Sequence, residues 1–194
     1  MINLKNSAET IRKGALKIIP DAFGIIKRPL TTLREIKKRS LSEVFVFIFL
    51  TAFFYSVLLS AAIFFDIEPI INYDYFKETG FLNLIFLMYF LTIINFFVNA
   101  VFIHIFVIIV EGKNGLFESL KAVCYSSSPA LFLGWIPVVG IITGIWALII
   151  QTAALRELHD ISTGRAVLAM ILPYIIFICI FISLYFIPAP FSII

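Results

Sequence analysis

From Phe81 to Val110 this chain carries no Asp, Glu, Lys or Arg. As a helix the stretch would be about 45 Å long at 1.5 Å per residue, against a hydrocarbon core of roughly 30 Å. No small soluble core can hide such a rod, so the run predicts a tilted or protruding transmembrane helix. Uncharged apolar runs recur at Val44 to Phe65, Ala122 to Leu155 and Ala166 to Ile187. Only 14 % of the 194 residues are charged and 61 % are hydrophobic, where soluble domains carry about 25 % charged residues. The chain reads as an all-α, polytopic membrane protein.

The runs divide into a five-helix transmembrane bundle, with spans at about 44–65, 83–110, 120–134, 138–155 and 166–187. They form a membrane domain, 41–194, behind a basic cytoplasmic segment, 1–40. No cleavable signal is apparent, so the first span is expected to act as the signal and stay. Ten of the fifteen Lys and Arg precede the first span, and Lys113, Lys121, Arg156 and Arg165 fall in two later loops of the same side. The loop "DIEPIINYDYFKETG" holds Lys77 against Asp66, Glu68, Asp74 and Glu78. This asymmetry places the N-terminus in the cytoplasm and the C-terminus outside. Pro188 and Pro190 are expected to close the last span.

Leu4, Ala8, Ile11, Ala15 and Ile18 recur at helical spacing, with Lys5, Arg12, Lys13 and Lys17 elsewhere on the wheel. The pattern predicts an amphipathic helix lying on anionic lipid and ended by Pro20 and Gly24. A second short helix around Leu30, Leu33 and Ile36 leads into the membrane. Two capping boxes are expected, Thr32 with Glu35 and Ser40 with Glu43.

The third segment contains "YSSSPALFLGWIPVVG". Pro129 removes an amide near mid-membrane and crowds the carbonyl of Tyr125; Ser128 before it is pushed from helical geometry. A break facing lipid would leave unpaired carbonyls at several kcal/mol each. The hydroxyls of Ser126, Ser127 and Ser128 are local donors for them. A kinked or re-entrant third helix, packed inside the bundle, follows from this. Pro137 marks the turn. Gly140, Gly144, Ala147 and Gln151 then make one small-residue face on the next helix, with a G-x-x-x-G spacing that permits close backbone approach.

The spans carry no carboxylate or fixed cation for a proton relay, and the chain shows no hydrolase or phosphate-binding motif. Cys124 and Cys179 lie in apolar segments and read as hydrophobic filler. No catalytic set, cofactor site or metal site is expected. Thr92, Asn95 and Asn99 share a helix face and read as interhelical hydrogen-bonding groups. His104 lies nearly opposite and reads as a packing residue, and His159 as a cap for its helix or turn. Two functions fit. One is a non-enzymatic scaffold that organises lipid or partner proteins, with a homo-oligomer or a membrane-protein partner expected and no nucleic acid. The alternative is a passive channel or small-solute carrier lined by Tyr125, the serines, Gln151, Asn95 and Asn99.

Leu120 to Pro173 resembles the Ypt-interacting protein (Yip) domain family. The matching elements run in order: a Tyr-Ser stretch before Pro129, the Ile136-Pro137 turn, Gly140 and Gly144, Trp146, a loop with His159, Gly164 and Ala166, and Pro173. The "KRPLTTLREI" lead-in is similar to prokaryotic members. The resemblance implies five membrane helices and a cytoplasmic N-terminus. Eukaryotic relatives are linked to vesicle traffic, membrane shaping and Rab-type GTPases. This chain has a short basic segment in place of their long acidic N-terminal domain, so GTPase binding is not carried over.

Overall fold

The computed structural model describes residues 4–65, 67, 78 and 80–186, and every described element is helical. The helices are α1 (Leu4–Lys27), α2 (Pro29–Ile36), α3 (Leu41–Phe64), α4 (Phe81–Ile109), α5 (Leu116–Ser126), α6 (Ser128–Leu133), α7 (Val139–His159) and α8 (Thr163–Phe186). The acidic-loop residues Asp66, Glu68 and Asp74, with Lys77 and the closing Pro188 and Pro190, lie outside the described residues.

The lead-in differs from expectation. Pro20 and Gly24 do not end the first helix; α1 runs through both to Lys27. Ile18, Ala22 and Ile25 keep one buried face on both sides of the proline, and packing on α3 outweighs the single amide that Pro20 removes. Gly24 instead serves close approach, since a Cβ there would sit 2.7 Å from the Thr32 hydroxyl. Pro29 opens α2, where its fixed φ suits the first helical position. Thr32 is inside α2 and donates to the Arg28 carbonyl at 3.0 Å. It therefore forms no capping box with Glu35. The second box exists: Ser40 Oγ accepts from the Glu43 amide at 3.4 Å, and a Glu43 carboxylate oxygen accepts from the Ser40 amide at 3.0 Å.

α3 and α4 pack together; α4 then meets α5 and α8, and α7 packs on α5, α6 and α8. α1 lies along α3 and reaches α5 and α6, while α2 lies against α7. Among the described residues, four helical stretches are long and apolar enough to cross a membrane: α3, α4, α7 and Thr163–Ile180 of α8. Their outer faces expose Phe53, Phe86, Phe90, Ile94, Val98, Ile142 and Ile149. Apolar surface on this scale does not occur on soluble monomers. The protein is a multi-pass membrane protein.

Lipid offers apolar side chains no reason to leave it, so contacts between such helices rest on close packing and polar pairs. Accordingly, Ala52, Ala62, Ala100, Ala122, Ala154, Ala166 and Ala169 are all buried. Buried hydroxyls bond within their own helices: Thr51 to the Phe47 carbonyl at 2.6 Å and Ser56 to the Ala52 carbonyl at 2.7 Å.

Candidate functional site at the helix division and the charged end

The third segment is two helices, α5 and α6, divided at Ser127. Pro129 has no amide to give to the Tyr125 carbonyl. Ser128 Oγ donates to that carbonyl at 2.6 Å. Ser126 and Ser127 both donate to the Val123 carbonyl, at 3.1 and 2.7 Å. Ser126, Ser128 and Pro129 are buried and Ser127 is half-buried. The division therefore faces protein, and its oxygens are satisfied by the adjacent hydroxyls. A turn containing Trp135 and Pro137 leads to α7, and Trp135 Nε1 donates to the Phe132 carbonyl at 2.9 Å.

The glycines of the G-x-x-x-G spacing do different things. A Cβ on Gly140 would lie 2.6 Å from the Gly134 carbonyl oxygen, so this glycine lets the turn fold tightly onto α7. A Cβ on Gly144 would meet nothing within 4 Å. The buried face of α7 is Thr143, Ile150, Gln151, Ala154, Leu155 and Leu158. Gln151 Nε2 and Asn99 Oδ1 are buried without a partner among the described residues.

The residues of the alternative polar path do not share one cavity. Ser127, Thr92 and Asn95 line a cavity of about 370 Å³ with Tyr55 and Ala130. Tyr125 faces a different, smaller space, against Asp21, Arg39, Glu43 and Lys17. Its ring packs on Phe47 with centroids 4.1 Å apart.

That space holds the ion pairs that fix α1 to the bundle. Arg39 Nη2 donates to both Asp21 carboxylate oxygens, at 2.8 and 3.0 Å. Lys17 donates to Glu43 at 3.1 Å. The Asp21 and Arg39 side chains are only 9 % and 12 % exposed. Burial pushes the Asp21 carboxyl above the usual aspartate range, and the Arg39 charge offsets only part of that push.

At the same end, α4, α5 and α7 meet through a hydrogen-bond chain absent from the sequence reading. His104 Nδ1 lies 3.0 Å from Ser119 Oγ, which lies 2.9 Å from His159 Nε2. His159 Nδ1 lies 3.1 Å from the Asn114 carbonyl oxygen. A carbonyl only accepts, so His159 Nδ1 carries the hydrogen and the neutral ring accepts at Nε2. Ser119 then donates to His159 and accepts from His104 Nδ1–H. Ser119 and His159 are fully buried, so the serine is a latch and not an accessible nucleophile. His159 is not the cap of its helix. That position is Asp160, in the left-handed conformation at φ 53°. Lys37 donates to Asp160 at 2.6 Å and the Asn114 amide does so at 3.2 Å. The Lys37 bond first, and the Asn114 bond second, hold this carboxyl below its usual range.

Lys121, expected in a loop, is in α5 and only 2 % exposed. Its ammonium donates to the Lys37 carbonyl at 3.1 Å and to Glu118 at 2.9 Å, and lies 4.6 Å from the Phe117 ring centre. Together these groups close one end of the bundle with charge pairs drawn from α2, α5 and α7. The ordered serines, Pro129, the tight turn at Gly140 and the His159 loop all fall inside the span matched by the Yip1 domain model, residues 23–184.

The chain belongs to the Yip1 domain family.

The match takes in most of the chain and reaches from the second half of α1 into α8. The part of the lead-in from residue 23 onward thus falls within the matched domain. No curated protein and no solved structure matches this Yip1 domain protein. The ion pairs Arg39–Asp21 and Lys37–Asp160 join residues 18 and 123 positions apart.

Proposed function

We propose that this Yip1 domain protein is a non-enzymatic scaffold that organises the membrane, or partner proteins within it, from its charged end. The carrying observation is that α1 has two apolar faces. Ile18, Ala22 and Ile25 are buried against the bundle, whereas Leu16, Ile19 and Phe23 are 67 %, 64 % and 55 % exposed. The exposed three repeat at i, i+3 and i+7, one stripe of a helix. Exposed Arg12, Lys27 and Arg28 accompany the stripe. Such a combination suits the headgroup zone of anionic lipid. Leu4, Ala8, Ile11 and Ala15 lie where only the backbone is described.

The layout that accompanies this role has residues 1–40 as the basic cytoplasmic segment and 41–194 as the membrane domain. α5 and α6 together make the third of five crossings, kinked at Ser127. From Leu116 to Leu133 they measure about 27 Å, close to the roughly 30 Å core. The positive-inside rule supports a cytoplasmic N-terminus and an external C-terminus, in the plasma membrane of a prokaryote. The anchored wedge of α1, α5 and α6 acts on lipid packing or on a membrane partner.

The test is reconstitution of the full chain with Trp in place of Phe23. Its emission should shift to the blue in phosphatidylglycerol vesicles compared with phosphatidylcholine, and the difference should shrink at high salt. Vesicle size and shape, seen by electron cryomicroscopy, should change with protein density. Leu16→Glu with Ile19→Glu should abolish both effects. Emission indifferent to lipid charge, with vesicle shape unchanged at every density, rules the reading out.

A further inference from the structure

The cavity beside Ser127 has a volume of about 370 Å³, within the range of small-molecule sites, about 300–1,000 Å³. Its position in the bilayer limits what can enter. Asn95 is the central residue of Phe81–Ile109, so it stands about 21 Å along the axis from either end. Asn95 and Leu91 are exposed, so the mouth opens on the outer, lipid-facing side of the bundle.

Among the described lining residues, Asn95 is the polar side chain whose groups are left to a ligand. The Thr92 hydroxyl donates to the Met88 carbonyl at 2.7 Å, and the Ser127 hydroxyl to the Val123 carbonyl at 2.7 Å. The Asn95 amide has no partner among the described residues. Its two donors and one acceptor stand at a depth where bulk water does not reach. Among the described residues no carboxylate or fixed cation lines the cavity, and a charged headgroup cannot descend that far from the interface. A hydroxyl matches the amide best, because it both accepts from the NH₂ and donates to the carbonyl oxygen. The remaining wall, including Leu91 and Leu131, suits a hydrocarbon tail.

We infer that this cavity binds an uncharged, hydroxyl-bearing lipid, of the diacylglycerol or long-chain alcohol type, with its head on Asn95. The inference rests on the membrane placement of the bundle but not on the scaffold role. Emission from Trp at position 23 and vesicle shape test that role and are independent of the cavity variants below.

The experiment places the full chain in phosphatidylcholine nanodiscs with a diazirine-bearing diacylglycerol, followed by peptide mapping after irradiation. Labels should concentrate at 88–96 and 130–131, and dioleoylglycerol should compete them away where dioleoylphosphatidylglycerol does not. Asn95→Leu should cut this labelling at least three-fold, and Ala130→Phe, which fills the space, should remove it. Labelling of outward-facing Ile175 and Ile178 should stay the same in both variants, which verifies insertion and folding. Three results each overturn the proposal. The first is cavity labelling no stronger than that of α8, and the second is labelling unaffected by Asn95→Leu. The third is efficient disulfide linkage between copies carrying Asn95→Cys and Cys179→Ser, which would give the mouth to a second copy.

Discussion

The Ser128 hydroxyl donates at 2.6 Å to the carbonyl of Tyr125, the oxygen that Pro129 leaves without its helical amide. One side chain thus supplies the hydrogen that its neighbour removed. In a membrane no solvent could stand in for it. Ser128→Ala should therefore destabilise the protein by about 1–3 kcal/mol, the cost of a buried unsatisfied carbonyl. Equilibrium unfolding in mixed micelles measures this. Adding Pro129→Ala restores an amide, so the serine's contribution should shrink in the double variant. A full-sized loss in both backgrounds would show that the hydroxyl acts some other way.

Arg39→Met leaves the Asp21 carboxyl buried without its partner, and should loosen α1 at a cost on the order of 3 kcal/mol. The pH dependence has a definite sign. Burial raises the folded Asp21 pKa above its unfolded value, so the folded state holds more protons between the two values. The contribution of Asp21 to stability falls as pH rises through that window and is recovered below it. Loss of Arg39 widens the window upward. Proteolysis of α1 against pH should show the variant more resistant in acid than at neutrality.

Ser119→Ala cuts the link between His104 and His159, with an expected loss of about 1–3 kcal/mol because a buried ring nitrogen loses its donor. A sharper check is ring-nitrogen NMR. Near neutral pH both histidines should be in the Nδ1–H tautomer, His159 because it faces the Asn114 carbonyl and His104 because it gives to the serine. An Nε2–H signal for His159 contradicts the direction of the chain.

The two glycines of the small-residue spacing should respond differently. Gly140→Ala puts a methyl 2.6 Å from a backbone oxygen and should destabilise the turn by about 1–3 kcal/mol. Gly144→Ala meets open space and should be neutral, or stabilise by up to about 1 kcal/mol through helix propensity. Thermal unfolding of the pair of variants in detergent decides it.

What the sequence revealed follows from how far apart interacting residues lie. Ser128, Pro129 and Tyr125 are within one helical turn, and so are Ser40 and Glu43; both arrangements were readable from local chemistry. His104, Ser119 and His159 come from three helices, at separations of 15 and 40 residues, and no local pattern joins them. His104 looked like packing because only its own helix could be considered. Pro20 and Gly24 misled for a related reason. Breaker residues report intrinsic preference, and here α3 supplies a surface that keeps α1 helical past them. The spacing at Gly140 and Gly144 was visible, but only the turn at Gly134 decides which glycine is needed.

The Lys121 ammonium, sealed from solvent, takes one of its acceptors from the backbone of Lys37. A main-chain oxygen cannot be replaced by choosing another side chain there. Excising the chain up to and including residue 37 would remove that acceptor and leave the ammonium with Glu118 and the Phe117 ring, on a face of α5 that the lead-in had covered. A fragment cut at the apparent membrane boundary should therefore be less stable than the full chain, the lead-in counting as part of the packed body.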